Sequence, residues 1–256
     1  MRLWIDSDVG TNPDDAIALV CAASHRDVDL VGVSTVDSDT ERRAEIARTL
    51  VDAPVIAGAH LSIRDVRASG AEALLAIGPL ENVARLLAAG ALPPRLGVMG
   101  GVLRPIRHRG AVRDVEHNFG AEPAATRAVI DHAPGLLVCP LDVTVRMRPS
   151  AADTEAMVDA VPVLGPMIDG WRRRQQTAAV PEDEAAVRLH DPLALFALVG
   201  EPVVAIEQRR LTVDARARLS EDRGRGRVAD VVTDVDVVRA MERIVTLVAQ
   251  SSRSAQ

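Results

Sequence analysis

The sequence predicts an α/β protein in which an open, mostly parallel sheet is flanked by helices. Short apolar runs bounded by turn residues alternate with longer segments whose apolar residues recur at the helical period. This alternation is typical of βα units, whose strands pair in parallel. Neither a linker-like segment nor an internal repeat interrupts the 256 residues. We therefore expect one domain that spans residues 1–256.

The predicted elements follow one another along the whole chain. The strands are short apolar runs, and they are expected at residues 3–5, 30–36, 55–57, 74–77, 95–99, 136–141, 203–213 and 227–233. The helices are expected to begin near Pro13 and Thr40 and to span residues 81–89, 123–132, 151–168 and 237–248. In open α/β sheets, ligands bind beyond the carboxyl ends of the strands. Polar residues that follow these strands are therefore the candidates for a functional site.

The composition limits the class of protein. A formal net charge of -6 argues against nucleic acid as a partner, because binding phosphate backbones needs a basic face. The sequence has neither a signal-peptide pattern nor an apolar stretch long enough to span a membrane. Cys21 and Cys139 are the only cysteines, and their apolar surroundings predict buried free thiols. We expect a cytoplasmic protein without a membrane partner.

Acidic residues crowd the first predicted strand–helix turn. The strand is followed by DSDVGTNPDDA at positions 6–16, which places four carboxylates in one turn. Asn12 and the acids after it fit a helix N-terminus, and this interpretation is sufficient for Asp14. It does not account for Asp6 and Asp8, because close like charges repel unless a cation or protons compensate them. From spacing alone, helix capping and a site for a hard divalent cation such as Ca²⁺ both remain open.

A second acidic motif lies far downstream, where LHDPLA at positions 189–194 precedes an apolar helix. Asp191 before Pro192 is a good helix cap, and a single histidine such as His190 is more often packed than catalytic. Taken alone, this motif favours a structural interpretation.

Together the two motifs resemble the nucleoside hydrolase family, the inosine-uridine preferring type in particular. The first is similar to the family signature Asp-x-Asp-x-Gly-x-Asp-Asp-Ala, lengthened by two residues, and the second to the family's His-Asp-Pro-x-Ala motif. The resemblance implies a Rossmann-like sheet and calcium-dependent hydrolysis of the N-glycosidic bond of a small-molecule ribonucleoside, which releases ribose and a free base. It also implies a homodimer or homotetramer.

The resemblance assigns a calcium shell to this chain. Asp8, Asp15 and Asp191 would bind Ca²⁺ through their carboxylates. The backbone carbonyl of Ile77 would complete the shell, because the turn IGPLEN at positions 77–82 is similar to the family's Thr-Gly-Pro-Leu-Thr-Asn.

Catalytic roles are implied in the same way. Asp14 would be the general base that activates a water on the calcium, and His190 would protonate the leaving base. The transition state would resemble an oxocarbenium ion. Asp6, and Asp142 in a segment similar to the family's Leu-Asp-Val-Thr, would lie behind the site.

Segments in the middle of the chain are similar to the family's sugar-binding motifs. The resemblance implies that Glu116 and Asn118 hold ribose hydroxyls, with Met99 and His117 beside them. Without their neighbours, Glu116 is equally a solvated charge and Asn118 a turn residue. Asp39 stands near the position where the family has an asparagine, and we expect it to meet the sugar or the attacking water.

Two departures from the family concern the entrance to the pocket. The stretch between residues 58 and 79 is far shorter than in typical members, so the family's lid is expected to be absent. A basic stretch replaces a sugar-binding Gly-Asn, and it either binds an anionic group or forms a solvated loop. It consists of Arg104, Arg107, His108, Arg109 and Arg113.

Two alternative functions therefore remain open. One is a non-catalytic ligand-binding homologue that keeps the metal site. The other is a specialised hydrolase of a modified or phosphorylated nucleoside in secondary metabolism.

Overall fold

The computed structural model describes residues 1–108, 111–181 and 185–254. The strands in these residues are β1 (Arg2–Ser7), β2 (Asp29–Thr35), β3 (Val55–Ile56), β4 (Ala73–Ala76), β5 (Arg95–Met99), β6 (Ile106–His108), β7 (Ala111–Arg113), β8 (Leu136–Cys139), β9 (Val204–Val213), β10 (Leu219–Glu221) and β11 (Arg227–Val235).

Helices cover both faces of the sheet. The α-helices are α1 (Pro13–Ser24), α2 (Thr40–Arg48), α3 (Ile63–Ser69), α4 (Glu81–Ala88), α5 (His117–Ala121), α6 (Pro123–His132), α7 (Leu141–Thr144), α8 (Ala151–Ala160), α9 (Leu164–Thr177), α10 (His190–Val199) and α11 (Val237–Ser254). A short 3-10 helix spans Gly58–His60.

The main sheet has the strand order β3-β2-β1-β4-β5-β8-β11-β9-β10. The first seven of these strands are parallel to their neighbours, whereas β9 and β10 extend the sheet antiparallel at one edge. The prediction of an open, mostly parallel α/β sheet is confirmed. Strand order reverses between β1 and β4, because β1 connects outward to β2 while β4 lies on its other side. In such sheets this switch point opens a crevice at the carboxyl edge.

Both faces of the central strands are buried, which explains their nearly continuous apolar sequence. In β1, Leu3 and Ile5 pack with α1, α10 and α11 on one face. Trp4, which lies between them, packs with α4 and α6 on the other. The strands are therefore held from two sides, and their polar carboxyl ends are fixed in position.

Several boundaries differ from the prediction for identifiable reasons. The predicted helix 151–168 is two helices, α8 and α9, because Pro162 lacks the backbone N–H of a helix interior and disfavours helical backbone at Val161, which has φ -133°. The predicted strand 136–141 ends at Cys139, and α7 begins after Pro140. Among the described residues, no helix is long and apolar enough to cross a membrane.

A candidate active site at the carboxyl edge of the sheet

A cavity of about 450 Å³ opens at the switch point between β1 and β4. Ten of the predicted catalytic, substrate-binding and metal-binding residues line it, namely Asp8, Asp14, Asp15, Ile77, Met99, Glu116, His117, Asn118, His190 and Asp191. No residue of the short stretch 58–76 lines it, because that stretch is used for the 3-10 helix, α3 and β4.

Three carboxylates form a buried cluster at this cavity. Asp14, Asp15 and Asp191 each offer an oxygen within 4.8 Å of the other two. The first two lie in the first turn of α1 and the third in the first turn of α10. Two helix N-termini thus converge here, and the positive ends of their dipoles favour negative charge.

Burial and mutual repulsion disfavour ionisation of the cluster. Burial, followed by the charges of neighbouring carboxylates, raises the pKa of Asp15 and Asp191 well above the ordinary value. Asp14 and Asp191 also share a hydrogen bond. Such a group needs either protons or a cation, and an oxygen-only donor set fits a hard divalent ion. The residues present therefore fit the predicted metal.

Asp8 lies at the margin of the cluster. The residue is 8% exposed, and its carboxylate is not part of the group within 4.8 Å that Asp14, Asp15 and Asp191 form. It is nevertheless close enough that its charge raises the pKa of Asp15 and Asp191. Burial raises the pKa of Asp8 itself, against the opposing charge of Arg43.

Hydrogen bonds to neighbouring strands and helices shape the acidic loop. Ser7 donates to Asp15 Oδ1 at 2.7 Å and accepts from the backbone N–H of Val9 at 3.0 Å. Arg43, in α2, donates to the carbonyls of Asp8 and Val9. The sequence analysis missed Arg43, because an arginine in a charged helix normally faces solvent, whereas this one is 7% exposed.

Asp6 lies beneath the loop and does not line the cavity. Its Oδ1 accepts from Ser34 at 2.5 Å and from Asn82 at 2.9 Å, while its Oδ2 has no hydrogen-bond partner among the described residues. Burial raises the pKa of Asp6 to about 7. Asp6 therefore lies behind the acidic loop, and its part in the site stays a prediction.

Helix α5 and its N-cap contribute predicted sugar-binding residues to the cavity wall. Asn118 Nδ2 donates to the carbonyls of Ile77 at 3.2 Å and Met99 at 3.1 Å. The carboxylate of Glu116 caps α5 by accepting from the backbone N–H groups of Asn118 at 2.9 Å and Phe119 at 3.1 Å. Burial raises the pKa of Glu116, which these hydrogen bonds oppose. Glu116 Oε2 also accepts from the backbone N–H of Gly101 at 3.3 Å, whereas Oε1 accepts from Asn118 and has a second lone pair that can serve a ligand.

His190 begins α10 beside the cluster. Its Nδ1 lies 2.8 Å from the hydroxyl of Thr144, and the side chain is buried. Thr144 therefore fixes the orientation of the imidazole at the cavity wall.

The structure does not bring Asp39 to the cavity. Asp39 adopts a left-handed conformation, caps α2 by accepting from the N–H of Arg42 at 3.3 Å, and borders a separate depression. Asp37 lines the main cavity instead and accepts from Arg43 at 2.7 Å. Although burial raises the pKa of Asp37, hydrogen bonds from Ser38 and Arg43 outweigh this, and its pKa is lowered. The loop turns two residues earlier than the sequence match implies.

Asp142 also lies away from the cavity. Its Oδ1 accepts from the N–H of Leu103 at 2.9 Å, and its Oδ2 from Arg104 at 3.3 Å. It therefore anchors the chain that leaves β5.

Two parts of the basic stretch, residues 106–108 and 111–113, pair antiparallel as β6 and β7. Arg113 lines the cavity, whereas Arg104 pairs with Asp142. Arg109 and the side chain of His108 lie outside the described residues. Of the side chains that the structure describes in this stretch, Arg113 alone lines the cavity.

Helix α9 supplies a wall that the sequence analysis did not anticipate. Trp171, Arg174, Gln175 and Ala178 all line the cavity. Their spacing of three and four residues places them on one helical face, and this periodicity was the available signal. The Arg174 guanidinium lies 6.0 Å from the Trp171 ring and donates to the carbonyl of Thr11. The other unpredicted lining residues are Thr11, Asn12, Asp37, Val115 and Leu141.

Comparisons with known proteins agree with this geometry. The family model described as inosine-uridine preferring nucleoside hydrolase matches residues 56–242. The lengthened acidic loop therefore lies outside the matched span. No curated protein matches the chain.

Solved structures of nucleoside hydrolases share the fold across the whole chain. A purine-preferring ribonucleoside hydrolase from Gardnerella vaginalis superposes with a TM-score of 0.80 at 19% identity, over 99% of this chain and 100% of that one. An inosine-uridine preferring nucleoside hydrolase from Bacillus anthracis gives 0.76 at 17% identity, over 97% and 99%. A plant nucleoside hydrolase gives 0.78 at 16% identity, over 97% and 98%.

Proposed function

Since the chain belongs to the inosine-uridine preferring nucleoside hydrolase family and is a nucleoside N-ribosyl hydrolase, we propose that it cleaves its ribonucleoside with the help of Ca²⁺. The buried cluster of Asp14, Asp15 and Asp191 within 4.8 Å is the observation that carries this proposal. It lies at the switch point of the sheet, where open α/β proteins bind their ligands.

The ion would be held by Asp8, Asp15, Asp191 and the carbonyl of Ile77. All four ligands are oxygens, and calcium accepts six to eight oxygens in irregular arrangements. When bound, the cation would make a water more acidic and orient the ribose hydroxyls.

Asp14 would act as the general base. Its carboxylate lies in the cluster and faces the cavity, so it is positioned to take a proton from the water that attacks the anomeric carbon. The bond from this carbon to the base nitrogen breaks, and its electron pair leaves with the base. His190 would deliver a proton to that base, so the products are ribose and the neutral base.

The sugar would occupy the wall formed by Glu116 and Asn118, next to Met99 and His117. Because Asn118 Nδ2 already donates to the carbonyls of Ile77 and Met99, the Oδ1 of Asn118 and the carboxylate of Glu116 would accept hydrogen bonds from the two hydroxyls of a diol. Because the stretch 58–76 provides no cover, the substrate would be enclosed on the other side by α9.

We also propose that the protein acts in the cytoplasm as a homodimer or homotetramer. The two cysteines are free and buried, which suits a reducing compartment. Mass measurement in solution would test the oligomeric state, since a monomer would contradict it.

Paired variants of two aspartates test the proposed function. With Ca²⁺ present, the wild type should release base from members of a panel of nucleosides and nucleoside 5'-monophosphates. Asp14→Asn should lower kcat by about 10²–10⁴, the usual contribution of a general base. Asp39→Asn, which changes an aspartate outside the cavity, should stay within about twofold, since it removes no group near the reacting atoms.

A wild type that releases no base, while Asp14→Asn binds the same nucleosides equally well in calorimetry, would refute hydrolysis. It would point instead to a ligand-binding protein.

A further inference from the structure

Two carboxamides line the cavity without hydrogen-bond partners among the described residues. Gln175 is 7% exposed and lies on the face of α9 that borders the cavity. Asn12 occupies the N-cap of α1, yet its side chain makes no capping hydrogen bond. Buried amides are nearly always hydrogen-bonded, and asparagine at an N-cap normally accepts from the helix backbone. The described residues therefore leave both carboxamides able to bind a ligand.

One contact brings the two carboxamides to the same wall. Arg174 donates to the carbonyl of Thr11, and these residues directly adjoin Gln175 and Asn12 in the sequence. This contact links α9 to the acidic loop. It lies where the loop is two residues longer than the family signature. Trp171, which is buried and also lines the cavity, supports the Arg174 guanidinium at 6.0 Å. The wall is therefore held together independently of any substrate.

The geometry decides which part of a substrate meets this wall, and this step rests on the proposed function. The ribose is placed at Glu116 and Asn118, which belong to α5 and its N-cap, whereas Asn12 and Gln175 line the cavity from the N-cap of α1 and from α9. The carboxylate cluster is placed beside the anomeric carbon. The base is then the part of the nucleoside left to face Asn12 and Gln175.

We propose that Asn12 and Gln175 hold the leaving base by its hydrogen-bonding edge and stabilise it as it departs. A carboxamide presents a donor and an acceptor side by side, which complements the ring nitrogens and exocyclic groups of a heteroaromatic base. When the glycosidic bond breaks, its electron pair moves onto the base. Hydrogen bonds donated to those atoms then strengthen, so they favour the transition state over the bound substrate.

The test compares a nucleoside with a riboside whose leaving group needs no assistance. With Ca²⁺ present, Asn12→Ala and Gln175→Leu should each lower kcat/KM for the best nucleoside roughly tenfold, the effect of one such hydrogen bond. For 4-nitrophenyl β-D-ribofuranoside both should stay within about twofold, because nitrophenolate departs unaided. Gln176→Leu is the matched control, since Gln176 is exposed and does not line the cavity.

Thermal unfolding separates this role from a structural one. Asn12→Ala should leave Tm unchanged, because its side chain caps nothing in the helix. Equal losses on both ribosides, no loss beyond that of Gln176→Leu, or a wild type active on the nitrophenyl riboside alone would each overturn the proposal. A wild type inactive on both compounds would refute the proposed function itself. If Gln175→Leu does not fold, Asn12→Ala carries the test.

Discussion

Arg43 shows how a single side chain can determine the shape of a catalytic loop. Its guanidinium donates to the carbonyls of Asp8 and Val9 and to the carboxylate of Asp37, and its Nε donates to Ser38. These groups are buried or partly buried, so removal of the guanidinium leaves several acceptors without donors.

We expect Arg43→Ala to lower the free energy of unfolding by about 3 kcal/mol, because the buried carbonyls of Asp8 and Val9 lose their donor and the side-chain packing of Arg43 is lost. It should also weaken Ca²⁺ binding, because Asp8 loses its anchor. Urea denaturation and calorimetric titration would measure the two effects. Arg42→Ala removes an exposed neighbour and should cost less than about 0.5 kcal/mol. Equal effects of the two substitutions would show that the loop does not depend on Arg43.

Single residues also show the limits of matching a sequence to a pattern. The resemblance to the family indicated Asp39 as a substrate-binding residue. The chain, however, turns through left-handed conformations at Asp37 and Asp39, with φ of 70° and 53°. This turn directs Asp37 to the cavity and leaves Asp39 as a helix cap. Spacing identified the carboxylates, but the direction of each side chain depends on backbone angles that no motif encodes.

At the scale of elements, the close approach of the turn after β4 to the acidic loop explains one glycine. A methyl group on Gly78 would lie 2.6 Å from Val36 Cγ1 and 3.0 Å from the backbone N of Asp8. Contacts this short cannot be accommodated unless the loop moves. Gly78 thus permits the carbonyl of Ile77 and the carboxylate of Asp8 to face one cavity.

We expect Gly78→Ala to destabilise the fold by about 1–3 kcal/mol, the usual cost of overpacking, and to weaken Ca²⁺ binding. Gly224→Ala is the control, because a methyl group there meets only Asp222 at 3.6 Å. Chemical denaturation and calcium titration of both variants would check this. Unchanged calcium affinity in Gly78→Ala would indicate that Asp8 does not hold the ion.

Elements with strong local signals could be predicted from the sequence, and those that depend on distant contacts could not. The strand 95–99 and the helix 123–132 agree with the structure residue for residue, because each combines a clear apolar pattern with turn residues at its ends. Strands β6 and β7 have only three residues each, one of them an arginine in either strand, so they carry no such pattern. The only sequence signal for the side of α9 that lines the cavity was the helical spacing of its residues within a charged segment.

At the scale of the whole molecule, strand order explains why Asp14 and Asp191, which are 177 positions apart in the sequence, form one site. The sheet places β1 between β2 and β4, and α1 and α10 pack against each other beneath the switch point, so their N-termini bring Asp14 and Asp191 together. Sequence order alone does not indicate that these two motifs lie close together in space. The resemblance to the family implies that they do, and the strand order gives the physical reason.

The same convergence predicts how stability depends on pH and on calcium. The pKa values of Asp15 and Asp191 are raised in the folded state, first by burial and then by neighbouring carboxylates. Burial likewise raises the pKa of Asp6 from 3.8 to about 7. The folded state therefore keeps protons that the unfolded chain has lost above about pH 4. Without metal, stability should fall as the pH rises from about 4 to 7.

A divalent cation reverses this trend, because it binds the deprotonated carboxylates and links α1 to α10. At a calcium concentration a hundred times its Kd we expect a gain of about 2.7 kcal/mol, or roughly 5–10 °C in Tm. The gain should be larger near pH 8 than near pH 5, where protons compete with the ion for the same oxygens. Thermal scans with calcium or a chelator at both pH values would measure it. Asp191→Asn should lose the gain and Asp39→Asn keep it. A calcium effect independent of pH, or one retained in Asp191→Asn, would place the ion elsewhere.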